Sequence, residues 1–167
     1  MKFAFAVILF TCCFLPGFAQ ENSVEKDFEN NKLKYKLERF SEGEDASSGY
    51  DYFVYKDKAR IVKVREIWSS LSYATYRAED YFYKDGKLTA LVKYTFAKKY
   101  YKTAEKGTNV PFKVVEKLYF TDSKLTGWIE NGKTIPATDK RWQEKENEAL
   151  EAGKSQLENY NRLKDGR

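Results

Sequence analysis

The sequence predicts an α+β fold: a meandering antiparallel sheet of about six or seven strands, with a C-terminal helix packed on one face. Three observations predict it. Aromatic and β-branched runs recur around short turn sequences, most plainly in Tyr81-Phe82-Tyr83-Lys84-Asp85-Gly86-Lys87-Leu88. The pairs Asp85-Gly86 and Asn131-Gly132 suit a type I′ hairpin turn, where both central residues need φ > 0. After Pro136 the apolar period changes from two to that of a helix, through Trp142, Ala149, Leu150, Leu157 and Tyr160.

The chain opens on a targeting segment. Lys2 precedes an apolar run over residues 3–15; Pro16-Gly17 breaks it, and Gly17 and Ala19 stand at −3 and −1 of a cut after Ala19. That is the secretory pattern, and the run is short for a membrane span. The expected organisation is a signal peptide over residues 1–19 and a single secreted or periplasmic domain over residues 20–167. A lipoprotein signal through Cys12 or Cys13 is disfavoured, because Thr11 and Cys12 precede them where a small residue is wanted. Both cysteines leave with the leader, so stability must come from packing rather than disulfides.

Val24 and Phe28, four apart, suit a short amphipathic helix. Leu33, Tyr35 and Leu37 alternate with lysines and read as a strand, although Leu33, Leu37 and Phe40 also suit a helix. Residues 41–49 are rich in Gly, Ser, Asp and Glu and read as a loop. Strands follow at 50–56 and 60–68, with Ile61-Val62-Lys63-Val64 strongly β-branched. Residues 73–84 and 87–98 form the central hairpin, and 99–111 a loop. Residues 112–121 and 125–130 form a third hairpin at Asp122-Ser123. Asp57, Asp85 and Asp122 align as turn residues, with one extra residue in the first turn. Thr138 or Asp139 caps the last helix, expected over about residues 138–164, and Gly153 weakens its middle by about 1 kcal/mol relative to Ala.

The runs Tyr81 to Leu88, Leu118 to Leu125 and Trp128 to Lys133 resemble a group of uncharacterised small secreted bacterial proteins built of tyrosine-rich hairpins turning at Asp-Gly-Lys or Asn-Gly-Lys. The resemblance covers about residues 49–133 and implies a fold and a location outside the cytosol, but no activity. Tyr83-Lys84-Asp85-Gly86-Lys87 is also similar to MORN-type hairpin repeats, although the first and third copies lack the glycine.

Composition excludes much chemistry. There is no histidine, which removes the usual general base near neutral pH and the commonest metal ligand. No phosphate loop, EF-hand or nucleophile elbow occurs, and no cofactor or metal site is expected. The 30 basic and 25 acidic residues are interspersed, unlike a nucleic-acid-binding face. What remains is carboxylate chemistry at Glu66, Glu79, Asp80 and Glu116, which lie in expected strands. Two of them could serve as acid and base on a sugar if they converge. The alternative is that all four face solvent beside lysines and arginines. Runs such as Tyr81-Phe82-Tyr83 point rings to both sheet faces, so either both faces are covered or one presents a tyrosine surface for a ligand. Lys99, Tyr100, Tyr101 and Lys102 form the most basic aromatic cluster and are the candidate ligand-binding residues.

The expected function is therefore a non-enzymatic binding or interaction module of the bacterial cell envelope. Its partner would be a protein, a glycan or a lipid headgroup, and not a nucleic acid. The alternatives are a carboxylate-dependent hydrolase of envelope polysaccharide, or an assembly protein docking through its C-terminal helix.

Overall fold

Four two-residue turns set the topology. Asp85 and Gly86 take φ of 51° and 77°, Asp122 and Ser123 of 49° and 62°, and Asn131 and Gly132 of 49° and 76°. Positive φ at both central positions gives the turn a twist that matches the paired strands, and Asp, Asn and Gly adopt it at least cost. The first hairpin turns at Lys58-Ala59, with Lys58 at φ 56°. Asp57 is instead the last strand residue and pairs with Arg60. Lys58 therefore takes the place of Asp85 and Asp122, and the first turn carries no extra residue. Matching the aspartates shifted the alignment by one; the aliphatics Ile61, Leu88 and Leu125 each follow the first turn residue by three positions.

The computed structural model describes residues 23–45, 48–70, 74–101 and 111–166. The expected leader and its expected cut after Ala19, both cysteines and the loop lysine Lys102 lie outside the described residues. Among these, helix α1 (Ser23–Asn31) leads through a 3-10 turn (Lys32–Lys34) into strand β1 (Lys36–Asp45). Then come β2 (Ser48–Asp57), β3 (Arg60–Ser70), β4 (Thr75–Lys84) and β5 (Lys87–Ala97). After a second 3-10 turn (Lys98–Tyr100) follow β6 (Lys113–Thr121), β7 (Lys124–Glu130), β8 (Lys133–Thr134) and helix α2 (Trp142–Asp165). The strands form one eight-stranded antiparallel sheet in sequence order.

The α+β class and the C-terminal helix are as expected, with slightly more strands. Two boundaries differ. Leu33 sits in the 3-10 turn, fully exposed, and the strand starts at Lys36. The alternation of Leu33 with lysines thus had no sheet face behind it. Residues 41–45, expected in a loop, extend β1 because Ser41 and Glu42 pair with Asp51 and Tyr50; neighbouring strand backbone overrides low β-propensity.

The β2–β3, β4–β5 and β6–β7 hairpins each shift register two pairs before the turn, leaving Val62, Thr89 and Thr126 without a ladder partner. Such bulges increase local twist. Two of them are tied across the ladder, Thr89 Oγ1 donating to the Phe82 carbonyl (3.1 Å) and Thr126 Oγ1 to that of Tyr119 (3.2 Å).

Helices cover most of both sheet faces, α2 one and α1 the other. Phe40, Val54, Tyr83, Leu91, Phe120 and Trp128 pack under Ala149 and Tyr160 of α2. Ile67, Tyr76, Phe82, Val92 and Phe96 pack under Phe28 of α1, with Tyr100, Tyr101 and Phe112 at the margin. The helix α2 is thus a layer of this fold. Its backbone comes so close that a Cβ on Gly153 would stand 3.1 Å from Leu88, and Tyr83 donates its hydroxyl to the Gly153 carbonyl (2.7 Å). The glycine that lowers helix propensity is what allows this approach. Asp139 does not cap α2 itself but accepts the Arg141 N–H in the turn before it (2.9 Å).

Candidate functional site

The site follows from the period of two and from one register. In β3, Glu66 and Trp68 share a face with Val64; in β4, Arg77 and Glu79 share a face with Tyr81. The β3–β4 pairing then sets Glu66 directly opposite Glu79 and Trp68 opposite Arg77. The helix α2 crosses this face near the hairpin turns, where it touches Leu88, Leu125 and Lys56. The other end of the strands is left as a cleft of about 740 Å³, lined by Tyr50, Glu66, Trp68, Thr75, Arg77, Glu79, Tyr81 and Thr95.

The two carboxylates differ in their surroundings. Glu79 accepts the Tyr81 hydroxyl (2.5 Å) and has the Lys93 ammonium at 3.8 Å. Burial, and then the charge of Glu79, push Glu66 up to about 7, against the donation it receives from the Gln156 amide of α2. Gln156 is itself buried, and its Oε1 has no hydrogen-bond partner. Tyr81 is held far above its ordinary value by burial and then by Glu79, so it stays a phenol that donates. The Arg77 guanidinium is exposed and stands 5.9 Å from the Trp68 ring.

This arrangement has a measurable consequence. A carboxyl whose folded value lies above its unfolded one stabilises the fold below the unfolded value, near 4.5, and that contribution disappears as pH rises to about 7. Glu66→Gln does not titrate. Its denaturation midpoint should match that of the parent at pH 4 and exceed it at pH 8, by about 2 kcal/mol in unfolding free energy after allowance for solvent screening.

The other candidates lie elsewhere. Asp80 is on the opposite face, 1% exposed, where Arg65 grips it with two bonds of 2.6 Å and Lys63 approaches to 2.8 Å. Glu116 shares a face with Glu79 but is buried under α2; it accepts the Trp128 indole N–H (3.0 Å) and pairs with Lys145 (3.3 Å) and Lys93 (3.5 Å). The alternative that all four face solvent therefore fails at Asp80 and Glu116, while Glu66 and Glu79 line the open cleft. Burial selects Asp80 and Glu116 as structural and leaves Glu66 and Glu79 converging.

The candidate ligand residues of the following loop divide likewise. Tyr100 and Tyr101 are half-buried against the α1-side core; Tyr101 packs edge-on to Tyr76 (5.5 Å) and donates its hydroxyl to Asp51. Lys99 is exposed, 5.0 Å from the Tyr100 ring. Each of the two tyrosines packs part of its ring against that core. A second hollow of about 770 Å³ runs beside α1 between Phe28, Tyr35, Val62 and the Arg60–Asp85 ion pair (3.2 Å), with Lys26, Asp27 and Lys84 also in its lining.

Sequence reasoning missed Tyr50, Trp68, Arg77, Tyr81 and Gln156. Alternation within each strand groups 66 with 68 and 77 with 79 and 81, but only register joins the groups. Among the described residues, no three His, Cys, Asp or Glu side chains gather where they could hold a metal ion, and no helix is long and apolar enough to cross a membrane. No family model matches the sequence, no curated protein matches it, and no solved structure matches the fold.

Proposed function

We propose that the chain is a secreted or periplasmic module of the bacterial cell envelope whose β3–β4 cleft binds a neutral, hydroxyl-rich ligand, an oligosaccharide. The observation that carries this reading is the cleft's mixture of chemistry. Tyr50 and Trp68 offer ring faces, Glu66 and Glu79 offer acceptors, and Arg77 offers a fork of donors, all on one surface. A cationic ligand would meet Arg77, and an anionic one would meet Glu66 and Glu79. A sugar presents apolar C–H faces to rings and paired hydroxyls to carboxylates and guanidinium, and meets neither repulsion. The secretory leader supports the location, and envelope glycans are the matching ligands there.

The test is isothermal titration of the mature chain with soluble oligosaccharides released from bacterial envelope polysaccharide. Trp68→Ala should weaken binding roughly 10- to 100-fold while Trp68→Phe keeps most of it, since loss of one well-placed aromatic contact costs about 1.4 to 2.7 kcal/mol. Equal affinity of parent and Trp68→Ala would remove the cleft from consideration.

A further inference from the structure

The opposed pair Glu66 and Glu79 does more than accept hydrogen bonds. We infer that this cleft hydrolyses the glycosidic bond of its bound oligosaccharide with retention, Glu79 acting as nucleophile and Glu66 as acid and then base. This goes past the binding reading and rests on it.

The geometry comes first. Residues directly opposite in an antiparallel pair hold their Cβ atoms about 4.5 to 5.5 Å apart, which brings the carboxyls within reach of the roughly 5 to 5.5 Å separation that a double displacement uses. The two side chains are also differentiated. Glu79 is held by the Tyr81 hydroxyl at 2.5 Å and lies 3.8 Å from the Lys93 ammonium, the surroundings of a fixed carboxylate. Glu66 is withdrawn toward α2 and meets one polar partner there, Gln156.

Gln156 supplies the second observation. It is buried, its amide nitrogen donates to Glu66, and its Oε1 stands unpartnered. Rotating an amide by 180° exchanges oxygen and nitrogen. In one orientation Gln156 donates to a Glu66 carboxylate; in the other its Oε1 accepts from a protonated Glu66. One buried side chain can therefore satisfy both protonation states, as a group that serves as acid in one half-reaction and base in the next requires. The displacement of Glu66 up to about 7 fits this role.

The steps balance. The Glu66 carboxyl gives its proton to the glycosidic oxygen as the C1–O bond breaks, while Glu79 Oε bonds to C1 and the leaving sugar departs as an alcohol. Water then attacks C1, its proton passes to the Glu66 carboxylate, and the bond to Glu79 breaks to restore the carboxylate. The net reaction consumes one water and needs no oxidant or metal. Arg77 and Trp68, opposite each other one pair further along this face, would position the neighbouring sugar unit.

The test uses the mature chain with bacterial envelope glycan extract and with dinitrophenyl glycosides. Reducing ends should be released from the extract, and a dinitrophenyl deoxyfluoro-glycoside that reacts should leave one glycosyl unit on Glu79 by peptide mass. Glu79→Gln should abolish the adduct and with it turnover through a glycosyl-enzyme. Glu66→Gln should lose far more on the native glycan than on dinitrophenyl leaving groups, which need no acid, and azide should restore its second step. Extract that is retained but not cleaved overturns this inference and leaves the binding reading standing, as does turnover unchanged in folded Glu79→Gln or Glu66→Gln. Neither retention nor cleavage overturns both.

Discussion

Asp80→Asn should lower the unfolding free energy by roughly 3–5 kcal/mol, the cost of stranding buried charge whose partner is removed. Asp80 is the one anion between two cations on the α1 side. Arg65 Nε and a terminal nitrogen each donate to it at 2.6 Å, and Lys63 Nζ lies at 2.8 Å. The Lys63 and Asp80 side chains are 3% and 1% exposed, and that of Arg65 11%. Rings complete the shell: Phe28 at 4.4 Å and Phe82 at 4.8 Å face the Lys63 ammonium, and Phe112 at 5.2 Å faces the Arg65 guanidinium. Aromatic faces attract a cation but do not replace a counter-ion.

Burial works against the charge of Asp80, yet Arg65 and then Lys63 outweigh it and hold the carboxyl well below the usual carboxylate range. A lowered folded value stabilises the fold above the unfolded one, near 3.8, and that contribution is lost as pH falls through the folded value. Parent and Asp80→Asn should therefore differ fully in urea melts at pH 7 and converge in strong acid. Burial brings Lys63 down to about 8 despite Asp80, so Lys63 can shed its proton when that partner is gone. Arg65 cannot, and it keeps the penalty in place. A midpoint at pH 7 within error of the parent would contradict this account. Replacing all three by apolar residues of similar volume should cost much less than Asp80→Asn alone.

Trp128→Ala is the second large effect, expected at roughly 3–5 kcal/mol. The indole is fully buried at the centre of the α2-side core. It stacks obliquely on Trp142 (6.1 Å) and lies beneath the Arg141 guanidinium (4.7 Å), so it joins the sheet to the first turn of α2. Its N–H also satisfies the buried carboxylate of Glu116 (3.0 Å). Trp128→Phe separates the two roles. It keeps most of the ring contact and leaves Glu116 Oε1 with the Lys145 ammonium at 3.3 Å, so it should cost less, about 1–3 kcal/mol for the lost hydrogen bond to a charged group plus a small cavity. If Phe proves as damaging as Ala in the same melts, the hydrogen bond outweighs the packing, contrary to the order expected from buried area.

Local order was legible where local physics decides it. Asp85-Gly86 and Asn131-Gly132 announced their turns because few residue pairs tolerate positive φ twice. Val24 and Phe28 marked α1, and the stripe from Trp142 to Tyr160 marked α2, because helical spacing exposes a buried face directly. Register and cover, which composition does not record, place Lys63 inside, through the bulge at Val62 and the ring of Phe28. Leu33 misled: an apolar residue between lysines that faces solvent.

The candidate site was half legible. Glu66 and Glu79 stood out as acids within strands, but so did Asp80 and Glu116, and nothing in their spacing separates the pairs. The sequence by itself determined the antiparallel meander, the turns at Asp85-Gly86, Asp122-Ser123 and Asn131-Gly132 and the two helices, since each rests on contacts between residues close in the chain. Tertiary structure alone decided which acids meet, which are sealed in the core, and where α2 leaves the sheet open. Those outcomes depend on register between strands and on the height at which a helix crosses them. A shift of one residue moves a side chain to the other face, and no local propensity records it.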